Sequence, residues 1–180
     1  MFHLTLFSGT EGEMSPIGCT VLTVFGGAEL RRPTLARQIL TLRARPNAKR
    51  GLWRWLSGSD ENLVVTIFGG TVVHEPTLVE EYAALSALVR SGQVAREELA
   101  MLLDRFGGDP RVTAYRSFTL FGACSSRRIS AKHERKALDE AERMGAIGRP
   151  LRSALDGLVE APSGVRWRAL GELVTASPLA

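Results

Sequence analysis

Residues 22–27 are Leu-Thr-Val-Phe-Gly-Gly, and this motif occurs four times along the chain with Thr and Phe in fixed positions. The other copies are Leu-Thr-Leu-Phe-Ser-Gly (4–9), Val-Thr-Ile-Phe-Gly-Gly (65–70) and Phe-Thr-Leu-Phe-Gly-Ala (118–123). The residues that define the repeat are Phe7, Phe25, Gly26, Gly27, Phe68, Gly69, Gly70 and Phe121. Internal similarity of this kind predicts a fold built from one structural unit used several times.

The motif has the composition of a β-strand that ends in a turn. Aliphatic, Thr and aromatic residues favour strands, and two small residues allow a sharp turn or a close approach of the backbone. Because side chains alternate along a strand, the first and third residues share one face, and Thr and Phe share the other. Neither face is properly polar, so we expect both to be covered, one by neighbouring copies and the other by helices.

The spacing of the phenylalanines indicates how the copies are arranged. Phe7 and Phe25 are 18 residues apart, a plausible length for one coil of a β-solenoid, and the next intervals are 43 and 53 residues. If the copies stack, the additional residues between them must leave the stack as insertions, over 42–62 and 76–109. The sequence therefore predicts an α+β fold with a small β-solenoid-like core of four strand-Phe-Gly-Gly units. An antiparallel β-sheet packed by helices is the alternative.

Helical periodicity is found in the second insertion and after the fourth copy. Pro76 suits a first helical turn, and a second helix over Arg96–Phe106 would complete a helical hairpin at about 76–107. The further predicted helices are Ser130–Gly145, Leu151–Val159 and Trp167–Val174. These patterns predict a β-repeat domain over residues 1–128 that carries the hairpin, followed by a helical extension over residues 129–180.

Length and composition describe an ordinary globular chain. Of its 180 residues, 44% are hydrophobic and 23% are charged, which excludes disorder as the main state. No stretch approaches eighteen apolar residues, so we expect no spanning helix, and the first residues lack the basic and apolar regions of a signal peptide. Cys19 and Cys124 are too few for a disulfide scaffold. We therefore expect a cytoplasmic location, either free or peripheral to the inner membrane.

Basic charge is concentrated in one part of the chain. Residues 31–54 contain eight Lys or Arg and no acid, although the whole chain has 23 basic and 19 acidic residues. Overlapping this block, segment 43–55 combines cations, which attract phosphates, with tryptophans, which favour bilayer interfaces or stack on bases. The candidate contacts to an anionic surface are Arg43, Arg45, Lys49, Arg50, Trp53, Arg54 and Trp55. A loop that folds back over the core is the alternative.

Residues that carry catalytic chemistry are sparse. His74 and His133 are each followed by glutamate, as in a zinc-peptidase motif, but no second histidine follows at the required spacing. Cys124 stands where other copies have a small residue, and we expect it to fill a stacked column. The glycine doublets lead into strand-like residues, so they predict turns and not phosphate loops. The sequence predicts no catalytic residue, no cofactor and no metal site, and a protein that is not an enzyme.

The units Leu-Thr-Val-Phe-Gly-Gly-Ala-Glu-Leu (22–30) and Val-Thr-Ile-Phe-Gly-Gly-Thr-Val-Val (65–73) resemble the LiaF-like domain, the C-terminal domain of bacterial cell-wall-active-antibiotics response proteins. The likeness covers residues 4–30 and 63–75 and extends to 118–124. It implies a small β-rich, solenoid-like fold and a non-enzymatic role in envelope-stress signalling, beside membrane segments and a sensor kinase. The chain departs from that pattern in its long insertions, its helical C-terminal third and its lack of a transmembrane segment.

Several functional hypotheses follow from these features. Residues 88–106 resemble a short helical hairpin that mediates oligomer contacts in bacterial proteins. The main hypothesis is a non-catalytic interaction or scaffold module with a protein partner, linked to the envelope-stress response at the inner membrane surface. One alternative is a nucleic-acid-associated protein that uses residues 31–54 and the basic stretch 127–136. Another is a self-assembling, bactofilin-like β-solenoid, a homo-oligomer whose uncapped ends would polymerise.

Overall fold

The computed structural model describes residues 2–15, 20–43, 62–105, 115–127 and 129–176. Within these ranges the chain forms eight strands and six helices, so the predicted mixture of α and β structure is confirmed. The strands are β1 (Phe2–Thr5), β2 (Thr10–Glu13), β3 (Thr20–Phe25), β4 (Ala28–Arg31), β5 (Asn62–Phe68), β6 (Thr71–His74), β7 (Tyr115–Phe121) and β8 (Cys124–Arg127). The helices are α1 (Leu35–Arg43), α2 (Leu78–Arg90), α3 (Arg96–Arg105), α4 (Ala131–Arg143), α5 (Arg149–Asp156) and α6 (Ser163–Ala176).

Consecutive strands alternate between two four-stranded sheets. Sheet A has the order β1-β3-β5-β7, and sheet B has the order β2-β4-β6-β8. Each pairing between these strands is parallel. The antiparallel alternative is therefore wrong. The reason is that each Phe-Gly-Gly turn sends the chain from sheet A to sheet B, so the chain re-enters sheet A only after a longer connection and in the same direction.

Equivalent motif positions lie side by side in both sheets. One row of sheet A contains the motif threonines, Thr5, Thr23, Thr66 and Thr119. One row of sheet B contains Thr10, Ala28, Thr71 and Cys124. Because neighbouring strands are about 4.8 Å apart, register of this kind brings like side chains into contact along columns that cross the sheet.

The threonine face of the motif meets the core. The apolar core residues, which come from both sheets and the residue after β2, are Met14, Val21, Ala28, Leu30, Val64 and Val73. Thr23 and Thr66 are fully buried in the same region, and the Thr66 hydroxyl donates to the Gly69 carbonyl at 3.2 Å. This hydrogen bond offsets much of the cost of burying the hydroxyl group.

The first and third motif residues point away from the core. The expectation that both faces of the strands are covered is wrong for Leu4, Phe118 and Leu120, whose side chains are more than half exposed. Alternation along the strand predicted which residues share a face. It could not decide which of the two faces is buried, because that depends on where sheet B lies.

The turns between the sheets require glycine for two reasons. Gly26 and Gly69 have φ of 122° and 141°, where residues with a side chain are strained. A Cβ on Gly69 would also lie 2.2 Å from the carbonyl oxygen of Gly26. The turns therefore stack too closely to admit a side chain, and the prediction that the glycine doublets form turns between strands is confirmed.

The chain divides into two compact units. The sheet unit comprises Met1–Pro33, Arg37–Pro76 and Val112–Arg128. The helical unit comprises Thr34–Ala36, Thr77–Arg111 and Ile129–Ala180. Within the helical unit, α2 contacts α4 and α6, α3 packs along α6, and α4 packs against α5.

Capping explains where the hairpin begins. Thr77 is the N-cap of α2: its hydroxyl accepts the N–H of Glu80 at 3.1 Å, and the Glu80 carboxylate accepts the N–H of Thr77 at 2.7 Å. This reciprocal capping box places Pro76 before the helix, so its predicted position in the first turn is wrong. The other predicted helices are present as α3 to α6 with shifted ends.

Helix α1 is not predicted by the sequence. It lies inside the basic block 31–54, of which the remainder from residue 44 is outside the described residues. Leu35, Ala36 and Ile39 are buried, and the Gln38 amide donates to the Pro33 carbonyl at 2.8 Å. The apolar stripe is only two turns long and is interrupted by basic residues, so the charge pattern hides the helical periodicity.

Candidate interaction surface

A ladder of stacked phenylalanine rings runs across the end of sheet A. The centroids of Phe7 and Phe25 are 5.6 Å apart, those of Phe25 and Phe68 are 5.1 Å apart, and those of Phe68 and Phe121 are 5.1 Å apart. The planes of neighbouring rings differ by 8° or less. Parallel strands in register produce this geometry, because equivalent residues repeat along the sheet at the strand spacing. Even so, the ladder is exposed: 83% for Phe7, 46% for Phe25, 45% for Phe68 and 66% for Phe121.

On the side opposite its threonines, sheet A presents an apolar surface to solvent. We define the outer face of sheet A by the residues that point away from the core: Leu4, Leu22, Val24, Leu63, Val65, Ile67, Arg116, Phe118 and Leu120. Leu4, Leu63, Phe118 and Leu120 are 40–56% exposed, and the aliphatic residues of β3 and the later ones of β5 are half-buried. Arg116 is the one charged residue in this set. An exposed apolar surface of this kind marks an interaction site more often than chance.

The outer face of sheet B has the opposite character. Glu29 and His74 lie on it with their side chains 2.6 Å apart, between Oε1 and Nε2. Nearby, Glu13 accepts a hydrogen bond from Arg37. Each sheet has one face in contact with solvent, and the face of sheet B is polar. Contact with solvent therefore does not account for the apolar character of the outer face of sheet A. This asymmetry singles out sheet A as the candidate interaction surface.

The buried charges of the helical unit serve the structure. The Glu81 carboxylate accepts the backbone N–H of Leu35 at 2.8 Å, and the Glu134 carboxylate accepts the backbone N–H of Leu78 at 2.9 Å. Leu35 and Leu78 are the first residues of α1 and α2, where free N–H groups and the helix dipole attract a negative charge. This role is not predicted by the sequence. The available signal was an acid three residues after the first residue of a later helix, as Glu81 follows Leu78 and Glu134 follows Ala131.

Two arginines of the helical unit have raised pKa values. Hydrogen bonds from Arg135 to Glu160 and Asp156 raise the pKa of its guanidinium. The hydrogen bond from Arg152 to Asp139 raises the pKa of that guanidinium. Arg135 is exposed and Arg152 is half-buried, and both stay charged, so these ion pairs act as contacts near the surface of the helical unit and not as proton donors.

Most of the predicted anionic contacts lie outside the described residues. Arg43 is the last residue of α1 and is exposed. The others, for which no structural statement is made, are Arg45, Lys49, Arg50, Trp53, Arg54 and Trp55. Whether this set comes together is therefore not tested, and its role stays a prediction.

The residues considered for catalysis have structural surroundings. His74 ends β6 beside Glu29, and the Nδ1 atom of His133 lies 2.7 Å from the hydroxyl of the N-cap Ser130. Cys124 begins β8 in register with Thr71, as expected for a stacked column, and is an exposed free thiol. Among the described residues, no three His, Cys, Asp or Glu side chains cluster so as to hold a metal ion.

No family model matches this chain, and searches of curated proteins and of solved structures also returned no match. The resemblance to the LiaF-like domain therefore stays a prediction. Across the described ranges, the helices are too short or too polar for any of them to cross a membrane.

Proposed function

We propose that the chain is a non-catalytic scaffold module that binds a protein partner through the outer face of sheet A and the phenylalanine ladder. The observation that carries this proposal is the exposure of four stacked aromatic rings at the end of a sheet whose outer face is almost uncharged. Aromatic residues are enriched at protein interfaces, because each buries a large area at a small cost in side-chain entropy. Exposing them to water in this number is unfavourable unless a partner covers them.

The proposed scaffold is a β-solenoid of four coils. Each coil would consist of one strand of sheet A, a turn, and the next strand of sheet B, as in β3 and β4. The alternation of strands between the sheets, the parallel pairing and the shared core support this arrangement. A stack of identical coils would present every outward position as a straight column, and such columns form a flat, rigid surface for a partner.

The size of the surface is compatible with an interface. Four strands at about 4.8 Å, each with about six residues of about 3.3 Å, give a planar area of roughly 400 Å². The largest apolar patch of a typical monomer covers about 300–600 Å² and is often functional. The outer face of sheet A is within that range, and a partner would also cover the ladder.

The chemistry of the face favours a protein over a phosphate-bearing partner. Membrane surfaces and nucleic acids are bound by clustered Lys and Arg, and the face carries only Arg116 among its defining residues. The basic segment that suggested those partners lies elsewhere in the chain. We propose that the partner presents an apolar sheet or helix surface, and that the module works at the cytoplasmic side of the cell envelope, as the LiaF-like resemblance implies.

Site-specific photo-crosslinking in living cells tests this proposal. A benzophenone amino acid at Leu63, on the outer face of sheet A, is compared with one at Val72, an outward position of the adjacent sheet B strand β6. We expect a protein adduct of one defined mass from position 63 and none from position 72. Equal adducts from both positions, or none from position 63, would overturn the proposal.

Vesicle binding distinguishes the membrane alternative from the proposed binding of a protein partner. The protein and its Trp53→Ala/Trp55→Ala variant are sedimented with neutral or anionic vesicles. Binding to anionic vesicles that the variant loses, together with no adduct from Leu63, would favour a peripheral membrane protein that uses the basic segment. Salt-sensitive binding to DNA or RNA, without binding to vesicles, would favour the nucleic-acid alternative.

A further inference from the structure

The first turn position of each motif copy faces the preceding turn. A Cβ on Gly69 would lie 2.2 Å from the Gly26 carbonyl oxygen, and a Cβ on Gly122 would lie 2.0 Å from the Gly69 carbonyl oxygen. On Gly26 it would lie 2.9 Å from the backbone nitrogen of Gly9. Real side chains essentially never approach backbone atoms this closely. This position must therefore be glycine wherever another turn precedes it.

The second turn position faces the following turn. A Cβ on Gly9 would lie 3.2 Å from the Gly27 carbonyl oxygen, and a Cβ on Gly27 would lie 3.0 Å from the Gly70 carbonyl oxygen. On Gly70 it would lie 2.7 Å from the Ala123 carbonyl oxygen. This position must be glycine, or must be displaced, wherever another turn follows it.

The two residues that break the glycine pattern stand at opposite ends of the stack. Ser8 occupies the first turn position of the first copy, before which the described residues contain no turn of this kind. Ala123 occupies the second turn position of the last copy, after which they contain none either. Both residues are exposed. Ser8 also lacks the positive φ of Gly26 and Gly69, because positive φ is confined to glycines among the described residues.

In other respects the two ends are suited to continue the stack. Among the strands that the structure describes, the outermost ones of sheet A, β1 and β7, each have a neighbour on one side only. A parallel strand edge of this kind is a template for another chain. Within the described part of the chain, the rings of Phe7 and Phe121 also have one stacking neighbour each, and they are more exposed than the two inner rings.

We propose that Ser8 and Ala123 terminate the stack by keeping a second copy of this chain from adding head to tail. In such an addition, the last turn of one copy would lie before the first turn of the next. The Ser8 side chain and the Ala123 methyl group would then both stand in the gap that two glycines leave open elsewhere. This inference concerns the sheet edges and not the outer face of sheet A, so it is independent of the proposed function. It also predicts that the self-assembling alternative does not hold for the wild-type chain.

Two complementary single variants test the proposal. Ala123→Gly removes the methyl group from the last turn, and Ser8→Gly removes the side chain from the first turn. A junction between the last turn of one copy and the first turn of another needs both changes. By analytical ultracentrifugation, we expect each variant alone to sediment as the wild type does. An equimolar mixture of the two single variants should also contain a complex with twice the mass of the wild-type species. The double variant should form open-ended assemblies. Ser125→Gly in β8, which adds a glycine on the outer side of sheet B, is the matched control and should change nothing.

A disulfide reports the register of the junction. Thr71 and Cys124 are register partners, and Thr10 holds the equivalent position in β2. Head-to-tail addition would therefore place residue 10 of one copy beside Cys124 of another at about the strand spacing, which a disulfide can bridge. In a Cys19→Ser background, Thr10→Cys should form intermolecular disulfides on oxidation in the double glycine variant and not in the chain that retains Ser8 and Ala123.

Three outcomes would overturn the proposal. The first is head-to-tail disulfide formation with Ser8 and Ala123 in place. The second is a mixture of the two folded single variants that forms no complex. The third is association of the Ser125→Gly control. Far-ultraviolet circular dichroism establishes that each variant is folded, and the single-variant mixture remains decisive if the double variant does not fold.

Discussion

Glu134 and Arg166 form an ion pair that is almost completely buried in the helical unit. Glu134 is in the first turn of α4, and Arg166 is in α6. The same carboxylate accepts the backbone N–H of Leu78 at the start of α2. One side chain therefore links three helices, and a charge is tolerated in the interior because a cation and a helix N-terminus both face it.

Removing the negative charge of this ion pair should destabilise the helical unit strongly. Glu134→Gln retains an acceptor for the Leu78 N–H but leaves the Arg166 guanidinium buried without a counter-charge. We expect a loss of about 3–5 kcal/mol in the free energy of unfolding, measured by urea denaturation. Glu160→Gln, which removes an exposed partner of Arg135, is the control and should leave the midpoint unchanged. A small loss in Glu134→Gln, similar to the control, would contradict the assigned role. The double variant Glu134→Gln/Arg166→Met should recover part of the stability.

A methyl group in the stacked turns should disrupt the sheet unit. In Gly69→Ala, the new Cβ would clash with the Gly26 carbonyl and the residue would be held at a φ of 141°. We expect destabilisation of at least about 3 kcal/mol, since such strain alone costs about 1–3 kcal/mol. Gly12→Ala is the matched control, because a Cβ there meets no atom within 4 Å, and it should change stability by less than about 0.5 kcal/mol. Comparable denaturation midpoints for the two variants would show that the turns are not closely stacked.

The phenylalanine ladder should contribute to stability according to the number of stacking neighbours. Phe68 stacks on two rings and Phe7 on one. Each aromatic pair adds about 0.5–1.5 kcal/mol beyond the area it buries, so Phe68→Ala should cost more than Phe7→Ala by at least that amount. The loss of stability in Phe68→Leu, which keeps apolar area without the ring, should lie between the losses in those two variants. Equal losses at the two positions would indicate that the stacking contributes nothing.

The capping box should stabilise the start of α2. Thr77→Ala removes the hydroxyl that accepts the Glu80 N–H, and such a loss typically costs about 1 kcal/mol. Thr175→Ala provides a control, because its hydroxyl donates to the Gly171 carbonyl within α6 and caps no N-terminus. Hydrogen exchange should become faster for the first-turn amides of α2 in Thr77→Ala alone. Unchanged exchange at those amides would count against the capping role.

Local features of the fold were predictable because their causes lie within a few residues. The four motif copies predicted strands followed by turns, and the structure has β3, β5 and β7 ending at the motif phenylalanines. The apolar stripes of the hairpin and the C-terminal region predicted five helices, whose ends shifted where capping residues such as Thr77 and Ser130 set them. Helix α1 was missed because its short stripe lies within a run of basic residues.

The candidate surface was only half predictable. Alternation placed Thr66 with Phe68 on one face of β5 and Val65 on the other, but both faces lacked the polar residues that normally mark the solvent side. The pattern therefore predicted that both faces are covered. The basic segment 43–55, which the sequence favours as the functional surface, is different from the apolar face that the structure exposes.

The amino-acid sequence by itself determined the repeating strand, the glycine turn and the number of copies, because backbone conformation follows from adjacent residues. The tertiary structure alone decided that the strands pair in parallel, that threonines enter the core while Leu4 and Phe118 face solvent, and that Glu134 caps a helix distant in sequence. Each of those outcomes depends on which strand or helix lies alongside, and such long-range pairing is set by the packing of the whole chain and not by any local pattern.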